Sequence, residues 1–366
     1  MDLKTRSIMR LLILCKRRPQ NRDLLERPFG RFHHLPTELA RRGHRVTVLL
    51  ASYLSEPDAC VERDGVTVRS IGVRGAGAAR YLALARRLVR SERPDWIGGL
   101  SDTWYAVLAA QLAGRAGARL WVDAYDNYAS YIPWAWPLHA AWRRAATRAD
   151  LLTVAGPSLA DLLGAGGDPA ATLVLPMAPD PVGFVPGDRA AARARLGLPA
   201  DAALIGFAGG IHPSRDMHTL FDAMTRLRAQ RPDARLVLTG RRFAGVQVPA
   251  DALWLGYLPD ADMPALYQAL DVVAVMNTPG AFGDYSYPIK LYEAMACGRP
   301  VVASRTASTA WVLRDFPDRL VAPGDAAALA GALAAALDLG AVDYGPQPDC
   351  GASGGELEAA MRRIGG

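Results

Sequence analysis

The chain has 366 residues, a length that favours two domains with separate cores. Hydrophobic residues make up 51% of it and charged residues 21%, as in globular proteins, and no apolar run is long enough to span a membrane. Four widely spaced cysteines argue against a zinc or disulfide framework and fit a reducing, cytoplasmic compartment. The net charge of +6 arises in residues 1–185, which indicates an anionic partner or a solvated arginine-rich face.

Short apolar strands alternate with helices in the first half of the chain. The predicted strands are 10–15, 45–51, 66–71, 96–98, 119–122 and 151–154, and the clearest predicted helices are 32–42 and 81–91. Residues 1–8 look like an appended lead, with Met9 as an alternative start. This alternation predicts a parallel sheet covered by helices on both faces.

A second series begins near residue 203, after a proline-rich linker over 176–188. The predicted strands are 203–208, 235–239, 252–255, 271–275 and 301–304, and the predicted helices are 214–230, 263–270, 288–297 and 325–337. The tail is rich in glycine, with one short helix at 356–364.

We therefore expect an α/β fold of two doubly wound, Rossmann-like domains that face a central cleft. The N-terminal domain would cover 1–185 and the C-terminal domain 186–345, and the tail over 346–366 would pack back on the protein.

Two motifs resemble ligand sites without fitting them. Gly75 and Gly77 lie between a strand and a helix like a dinucleotide fingerprint, but outside the first strand–helix unit and with Arg80 at the third small position. Asp260 and Asp262 resemble the metal motif of some sugar transferases, but they precede a helix that an acidic cap would explain. We expect a loop and a helix start at these positions, and no metal.

The segment 286–302 is the most informative part of the chain. It predicts a helix that begins at Pro288, stops at Gly298 and leads into a buried strand. Lys290 places a cation in the first turn, where the helix dipole disfavours one, and it is the only lysine after residue 16. A helix start with an added cation is typical of an anion site.

A second cation follows a glycine turn in the same half of the chain. Gly209 and Gly210 follow a predicted strand, and Arg215 stands in the first turn of the helix predicted after it. Arg215 and Lys290 at one edge of the sheet would hold a diphosphate between them. The alternative is that both cations pair with neighbouring carboxylates.

These segments carry a family resemblance. In order along the chain they are 207–220, 236–241, 255–270 and 286–304. Together they resemble the donor-binding domain of GT-B glycosyltransferases, and most closely glycosyltransferase family 4, whose members are retaining and need no metal. The first half resembles that family more loosely, through the turn at Gly43 and the linker.

The resemblance implies roles for individual residues. Glu293 matches the glutamate that holds the ribose hydroxyls of the nucleotide, and Arg215 and Lys290 match the cations on the diphosphate. We regard these two cations as the catalytic residues that stabilise the leaving group. The other donor-binding candidates belong to the glycine turn and to the loop that contacts the sugar: Gly209, Gly210, Gly283, Asp284, Tyr285 and Ser286.

Two positions depart from the family pattern. Tyr285 stands where a glutamate is common, so either Asp284 or Tyr285 takes its place, and Gly210 stands where a second basic residue is common. These departures leave open a GT-B-like binding protein without activity. A nicotinamide-dependent oxidoreductase that uses the first domain is the other alternative.

The acceptor side should lie in the first half. Asp126 follows the strand at 119–122 and is our third catalytic candidate, for orienting the acceptor hydroxyl or the sugar, with a capping or turn role as the alternative. Tyr131, Trp134 and Trp136 lie among arginines, a composition that suits a membrane interface, a sugar-stacking surface or core packing. The basic loop 16–31 would hold an anionic acceptor or contact lipid headgroups.

The sequence thus predicts a glycosyltransferase that moves a sugar from a nucleotide-sugar donor to a glycan or lipid-linked acceptor in bacterial surface polysaccharide synthesis. No cofactor is expected. The composition suits a cytoplasmic protein with peripheral contact to the inner face of an anionic membrane. Nucleic acid is not an expected partner, since no known binding module is present.

Overall fold

The computed structural model describes residues 8–180 and 183–365, so most of the expected lead and two linker residues lie outside the described residues. The chain forms two compact units, one of Met1–Pro176 with Asp349–Gly366 and one of Met177–Pro348. The division falls after Pro176, whereas the sequence placed it between 185 and 186. Within the described range no helix combines the length and the apolar character needed to cross a membrane.

The first unit is built on an eight-stranded sheet in the order β3-β4-β2-β1-β5-β6-β7-β8. Its strands are β1 Arg10–Lys16, β2 Arg45–Ser52, β3 Ala59–Arg63, β4 Val66–Gly72, β5 Trp96–Gly99, β6 Arg119–Ala124, β7 Leu151–Val154 and β8 Thr172–Val174. The helices along this part of the chain are α1 Arg31–Arg41, α2 Gly77–Glu92, α3 Thr103–Ala116, α4 Trp136–Thr147 and α5 Pro157–Gly164.

All neighbouring strands of this sheet are parallel except β3, which runs antiparallel to β4 at the edge. The prediction missed β3 because none of its residues is buried, so it lacks the apolar run of the central strands. β1 is buried along Leu11–Cys15 because it lies in the middle of the sheet. The parallel order brings the carboxyl ends of the strands to one edge.

The second unit contains a six-stranded, fully parallel sheet in the order β11-β10-β9-β12-β13-β14. Its strands are β9 Ala203–Ala208, β10 Ala234–Thr239, β11 Leu253–Trp254, β12 Val272–Val275, β13 Val301–Ser304 and β14 Leu320–Val321. Its helices are α6 Arg189–Leu196, α7 Met217–Gln230, α8 Met263–Ala269, α9 Ile289–Ala296, α10 Ala307–Val312 and α11 Ala326–Leu337. The side chains of β9, β10 and β12 pack with α7 and α11 in one core.

The last helix, α12 Cys350–Gly365, is longer than the predicted 356–364 and belongs to the first unit. Its glycines are the reason for the short prediction, because glycine disfavours helix interiors. They also allow close packing on α1: a Cβ at Gly354 would lie 2.4 Å from the Cβ of Glu38. Tertiary contact therefore stabilises a helix that its local sequence does not favour.

A buried hydrogen-bond chain joins this helix to the sheet. The Met9 N–H donates to Nδ1 of His44 over 3.2 Å, so Nε2 carries the hydrogen and donates to Glu358 over 3.2 Å. Burial disfavours the imidazolium and lowers the pKa of His44 from 6.5. Burial opposes ionisation of Glu358, but hydrogen bonds from Arg362 and His44 outweigh it and lower its pKa.

The first unit should therefore lose stability in acid. Below pH 6.5 the unfolded chain binds a proton at His44 that the folded chain does not, so the free energy of unfolding falls as the pH drops. We expect urea unfolding at pH 7 and pH 5 to show this fall, and His44→Leu to reduce the difference between the two pH values. His218→Leu, an exposed histidine of the second unit, is the matched control. An unchanged pH difference in His44→Leu would contradict the assignment.

Candidate functional site

Lys290 lies against the glycine turn that follows β9. A Cβ added to Gly209 would lie 3.2 Å from Cε and 3.8 Å from Cδ of Lys290, and Gly209 has a φ of 151°, which favours glycine. Helix α9 begins at Ile289 with Pro288 as its N-cap, so the helix is one residue shorter at that end than predicted and Lys290 is its second residue. The structure thus brings together two predicted site residues that are far apart in the sequence.

Arg215 reaches the same edge of the sheet by a different route from the one predicted. It ends a 3₁₀ turn, Pro213–Arg215, and α7 begins at Met217, so Arg215 is not in the first turn of that helix. Its Nη1 lies 3.4 Å from Oδ1 of Asn277, and its guanidinium carbon lies 4.8 Å from the ring centre of Phe282. Asn277 and Phe282 follow β12, the neighbour of β9.

Asp216 and Asp284 are the carboxylates that follow Arg215 and precede Lys290 in the chain, and both accept hydrogen bonds from backbone. Asp216, with a φ of 52°, accepts from the Thr219 hydroxyl over 2.6 Å and from the Gly324 N–H over 3.1 Å. Asp284 accepts from the N–H groups of Gly280, over 2.7 Å, and Ala307, over 3.0 Å. Both carboxylates therefore hold backbone in place.

Glu293 is oriented by a tyrosine that the sequence did not indicate. The hydroxyl of Tyr267 on α8 donates to Oε2 of Glu293 over 2.7 Å, and Tyr267 is fully buried. In the sequence Tyr267 is one apolar position of a short helical pattern, so no local signal sets it apart. Because its ring is fixed by packing, it positions one carboxylate oxygen of Glu293.

The loop predicted to contact the sugar is tightly built. A Cβ at Gly283 would lie 1.9 Å from the Thr278 carbonyl oxygen, so only glycine fits there. The Ser308 hydroxyl donates to the Gly283 carbonyl over 2.8 Å, which with Asp284 ties the loop to α10. Tyr285 and Ser286, the other two candidates in the loop, are half-buried.

Gly210 lies beneath an aromatic ring. A Cβ at this position would lie 3.1 Å from Cε2 of Phe243, which follows β10. The Phe243 N–H donates to the carbonyl of Ile211, so the loops after β9 and β10 are paired. Arg241 places its guanidinium carbon 5.0 Å from the Phe243 ring centre and is exposed. The sequence shows that Gly210 replaces a basic residue, but it did not indicate that the cation of Arg241 lies nearby.

The Asp260–Asp262 motif and the Gly75–Gly77 motif both lie at helix starts. Asp262 is the N-cap residue of α8, as predicted, but its side chain pairs with Arg195 and makes no capping hydrogen bond. Among the described residues no cluster of three or more His, Cys, Asp or Glu side chains could hold a metal ion. Gly77 is the first residue of α2, and a Cβ there would lie 2.0 Å from the Gly72 carbonyl oxygen, so it serves close packing of backbone.

In the first unit Asp126 lies just beyond β6 and is buried. The Tyr131 hydroxyl donates to its Oδ2 over 2.6 Å, which fixes the carboxylate at the carboxyl edge of the sheet. The aromatic cluster around it divides into two groups. Tyr128 and Trp142 are buried in the core, whereas Tyr131, Trp134 and Trp136 are exposed.

Much of the basic charge of the loop 16–31 is neutralised within the unit. Arg17 and Arg18 both pair with Asp23 and with Glu56. These cations are therefore part of the fold and less available to an anionic partner than the sequence suggested.

Arg31 makes a buried ion pair that the sequence did not predict. Its Nε lies 3.0 Å from Oδ2 of Asp123, and its Nη1 donates to the Leu175 carbonyl over 3.0 Å. Asp123 also accepts from the Thr153 hydroxyl over 2.6 Å. Removing one partner of such a pair costs about 3–5 kcal/mol, because a charge is left buried without compensation.

Comparison with known protein families covers both halves of the chain. The family described as glycosyl transferases group 1 matches residues 202–338, and the family described as glycosyl transferase 4-like domain matches residues 31–178. Together the two matches cover well over half of the chain.

Curated relatives match over a shorter length. The D-inositol 3-phosphate glycosyltransferase of Stackebrandtia nassauensis is 35% identical over 175 residues, which are 43% of this chain and 38% of that protein. The enzyme of the same name from Mycobacterium tuberculosis is 35% identical over 41% of this chain and 32% of its own length. The alignments therefore span less than half of these curated relatives.

Solved structures resemble the chain over nearly its whole length. HepE of Anabaena in complex with UDP has a TM-score of 0.70 and 19% identity, covering 97% of this chain and 96% of that chain. The sucrose-phosphate synthase of Thermosynechococcus elongatus has a TM-score of 0.69 and 18% identity, covering 98% and 96%. The likeness identifies the architecture as the two-domain α/β fold called GT-B.

The loop 280–286 should depend on Asp284. Asp284→Ala leaves the N–H groups of Gly280 and Ala307 without their acceptor, so we expect the second unit to lose about 1–2 kcal/mol in urea unfolding. Ser286→Ala, in the same loop, is the matched control and should change stability little. Equal stability of the two variants would show that these hydrogen bonds do not hold the loop.

Proposed function

Because the chain belongs to the group 1 glycosyltransferases of the family 4 kind, we propose that it transfers a sugar from a nucleotide-sugar donor to a hydroxyl acceptor. The observation that carries the proposal is the placement of Lys290 beside the Gly209 turn, with Arg215 and Glu293 in the same unit. We propose that the second unit binds the donor and the first unit the acceptor.

The two cations would stabilise the leaving group. Transfer of the sugar separates a nucleoside diphosphate from an oxocarbenium-like centre, so negative charge grows on the diphosphate. Fixed cations and the N-terminal amides of α9 offset that charge without a metal ion. Lys290 would contact the phosphate next to the turn. Arg215, which is oriented by Asn277 and Phe282, would contact the second phosphate.

Glu293 would accept hydrogen bonds from the ribose hydroxyls. Tyr267 donates to its Oε2 and fixes the orientation of the carboxylate toward a diol. Neighbouring structures that hold UDP and UDP-glucose support a uridine nucleotide as the first donor to test. The loop 282–286 would contact the sugar, with Tyr285 or Ser286 as the polar contact, since Asp284 is engaged with backbone.

We propose that the reaction retains the configuration of the sugar, as the family resemblance implies. No side chain is proposed as nucleophile, and the donor diphosphate would take the proton of the acceptor hydroxyl. Asp126, fixed by Tyr131, would orient that hydroxyl. We propose a glycan or lipid-linked acceptor in surface polysaccharide synthesis in the cytoplasm, while the curated relatives are named for a phosphorylated polyol acceptor.

Loss of Lys290 should abolish most of the activity. We expect Lys290→Met to lower kcat by about 100-fold or more, because the charge acts mainly on the departing diphosphate. Arg226→Met, an exposed cation of α7, is the matched control and should retain activity. Release of UDP from UDP-glucose in the presence of acceptor is the measurement, with product configuration read by NMR.

The same assay separates the alternatives. Activity in excess EDTA should equal that in Mg²⁺, and Glu293→Gln should weaken UDP binding. If the wild-type protein binds UDP-sugars without turning any over, the inactive binding protein is correct. If it binds NADH and no sugar nucleotide, the proposal is wrong and the oxidoreductase alternative stands.

We also propose that the first unit contacts an anionic membrane through α4 and the loop before it. Trp134 is 80% exposed and Trp136 72% exposed, and Arg143 and Arg144 are exposed on the same helix. The Tyr131 hydroxyl donates to Asp126, and the Ala135 N–H donates to the Ile132 carbonyl, so the loop before α4 has hydrogen bonds on both sides of Trp134. Tryptophan beside arginine suits the boundary of an anionic bilayer.

Vesicle binding tests this surface. We expect the protein to sediment with vesicles that contain phosphatidylglycerol and not with pure phosphatidylcholine, and salt to weaken the binding. Trp134→Ser with Trp136→Ser should lower the bound fraction severalfold, whereas Trp254→Ser, a 48% exposed tryptophan of the second unit, should not. Equal binding of all three proteins would exclude this surface.

A further inference from the structure

The first unit contains an apolar pocket that the proposed chemistry does not use. Its volume is about 530 Å³, and it lies between α2 and α3. The residues that form most of its wall are Tyr53, Val73, Leu82, Trp104, Val107 and Leu108. Nearly all of this wall is hydrocarbon or aromatic ring, so the pocket suits an apolar group.

The pocket lies at the edge of the sheet where ligands bind in doubly wound folds. Tyr53 directly follows β2 and Val73 directly follows β4, so both stand at carboxyl ends of parallel strands. Asp126 follows β6 at the same edge of the same sheet. The pocket therefore belongs to the side of the unit that we assign to the acceptor.

The polar atoms of Tyr53 and Trp104 in the pocket wall take part in hydrogen bonds within the unit. The Trp104 indole N–H donates to the Tyr53 hydroxyl over 2.6 Å, and that hydroxyl lies 3.3 Å from the hydroxyl of Tyr105. The Tyr105 side chain is fully buried beneath the wall. A ligand thus meets the faces of these rings without having to replace lost hydrogen bonds.

A cation lies beside this apolar wall. The Lys16 ammonium is 5.6 Å from the ring centre of Tyr53. Arg17 and Arg18, the next two residues, are both paired with carboxylates. Throughout residues 8–180 and 183–365, no carboxylate pairs with Lys16. A cation without a carboxylate partner among the described residues therefore lies next to Tyr53, a residue of the pocket wall.

We propose that this pocket binds the hydrocarbon part of a phosphate-bearing lipid, with the phosphate at Lys16. The inference rests on the proposed function, because it identifies the acceptor as an amphipathic phosphate with its reacting hydroxyl beyond the pocket. An apolar pocket alone would accept any lipid, and the ammonium of Lys16 selects an anionic one. A polyol phosphate lacks the chain that would fill the apolar volume.

Binding of simple alkyl phosphates tests the proposal without any transfer reaction. Decyl phosphate, decanol and inorganic phosphate are titrated into the full chain by calorimetry, below the micelle concentration. We expect decyl phosphate to bind at least tenfold more tightly than either of the others. Val107→Trp fills the pocket and should weaken the binding of decyl phosphate at least tenfold. Val89→Trp changes a half-buried position of α2 outside the wall and should leave that binding unchanged.

Charge is tested separately. Lys16→Met should weaken decyl phosphate severalfold and leave decanol unchanged. The proposal is overturned if Val107→Trp binds decyl phosphate as well as the wild type, or if inorganic phosphate binds equally well. UDP-glucose is titrated into the same samples to distinguish the lipid site from the proposed transfer reaction. If the protein binds decyl phosphate but not UDP-glucose, the proposed transfer reaction is contradicted and the lipid site is not.

Discussion

The contact between Lys290 and the Gly209 turn depends on the parallel order of the second sheet. β9 and β12 are neighbours that run in the same direction, so the turns that follow them end at one edge. Helix α9 follows β12 and brings Lys290 to that edge, and the missing side chain of Gly209 leaves room for the lysine stem. Arg215 and the loop after β12 meet there for the same reason.

The sequence is sufficient for this arrangement because buried parallel strands are continuous apolar runs. Such runs identify the central strands, and glycines at their ends mark the turns. The partner of Glu293 could not be found in this way. Tyr267 lies on another helix, and its spacing is that of an ordinary buried face, so only the packing of α8 and α9 shows that it meets a carboxylate.

The sequence did not predict two other features, because tertiary contacts outweigh the local conformational preference there. α12 contains glycines that disfavour a helix, yet they allow its backbone to approach Glu38 on α1. Arg215 was expected in a helix, but Asp216 adopts the left-handed conformation and holds Gly324, which separates the 3₁₀ turn from α7. In both cases the contact that decides the conformation joins residues that are distant in sequence. The periodicity of apolar residues does not predict such a contact.

Arginine and lysine occupy different kinds of position in this chain, because their charged groups differ in shape and flexibility. Arginine presents a planar fork that matches a carboxylate, and Arg17, Arg18 and Arg31 each pair with at least one carboxylate inside the first unit. Lysine is a point charge on a flexible stem. The two lysines in the described part of the chain, Lys16 and Lys290, both lie at the carboxyl edge of a sheet. Under the proposed function and the proposed lipid site, both lysines would meet the phosphate of a ligand that binds and dissociates.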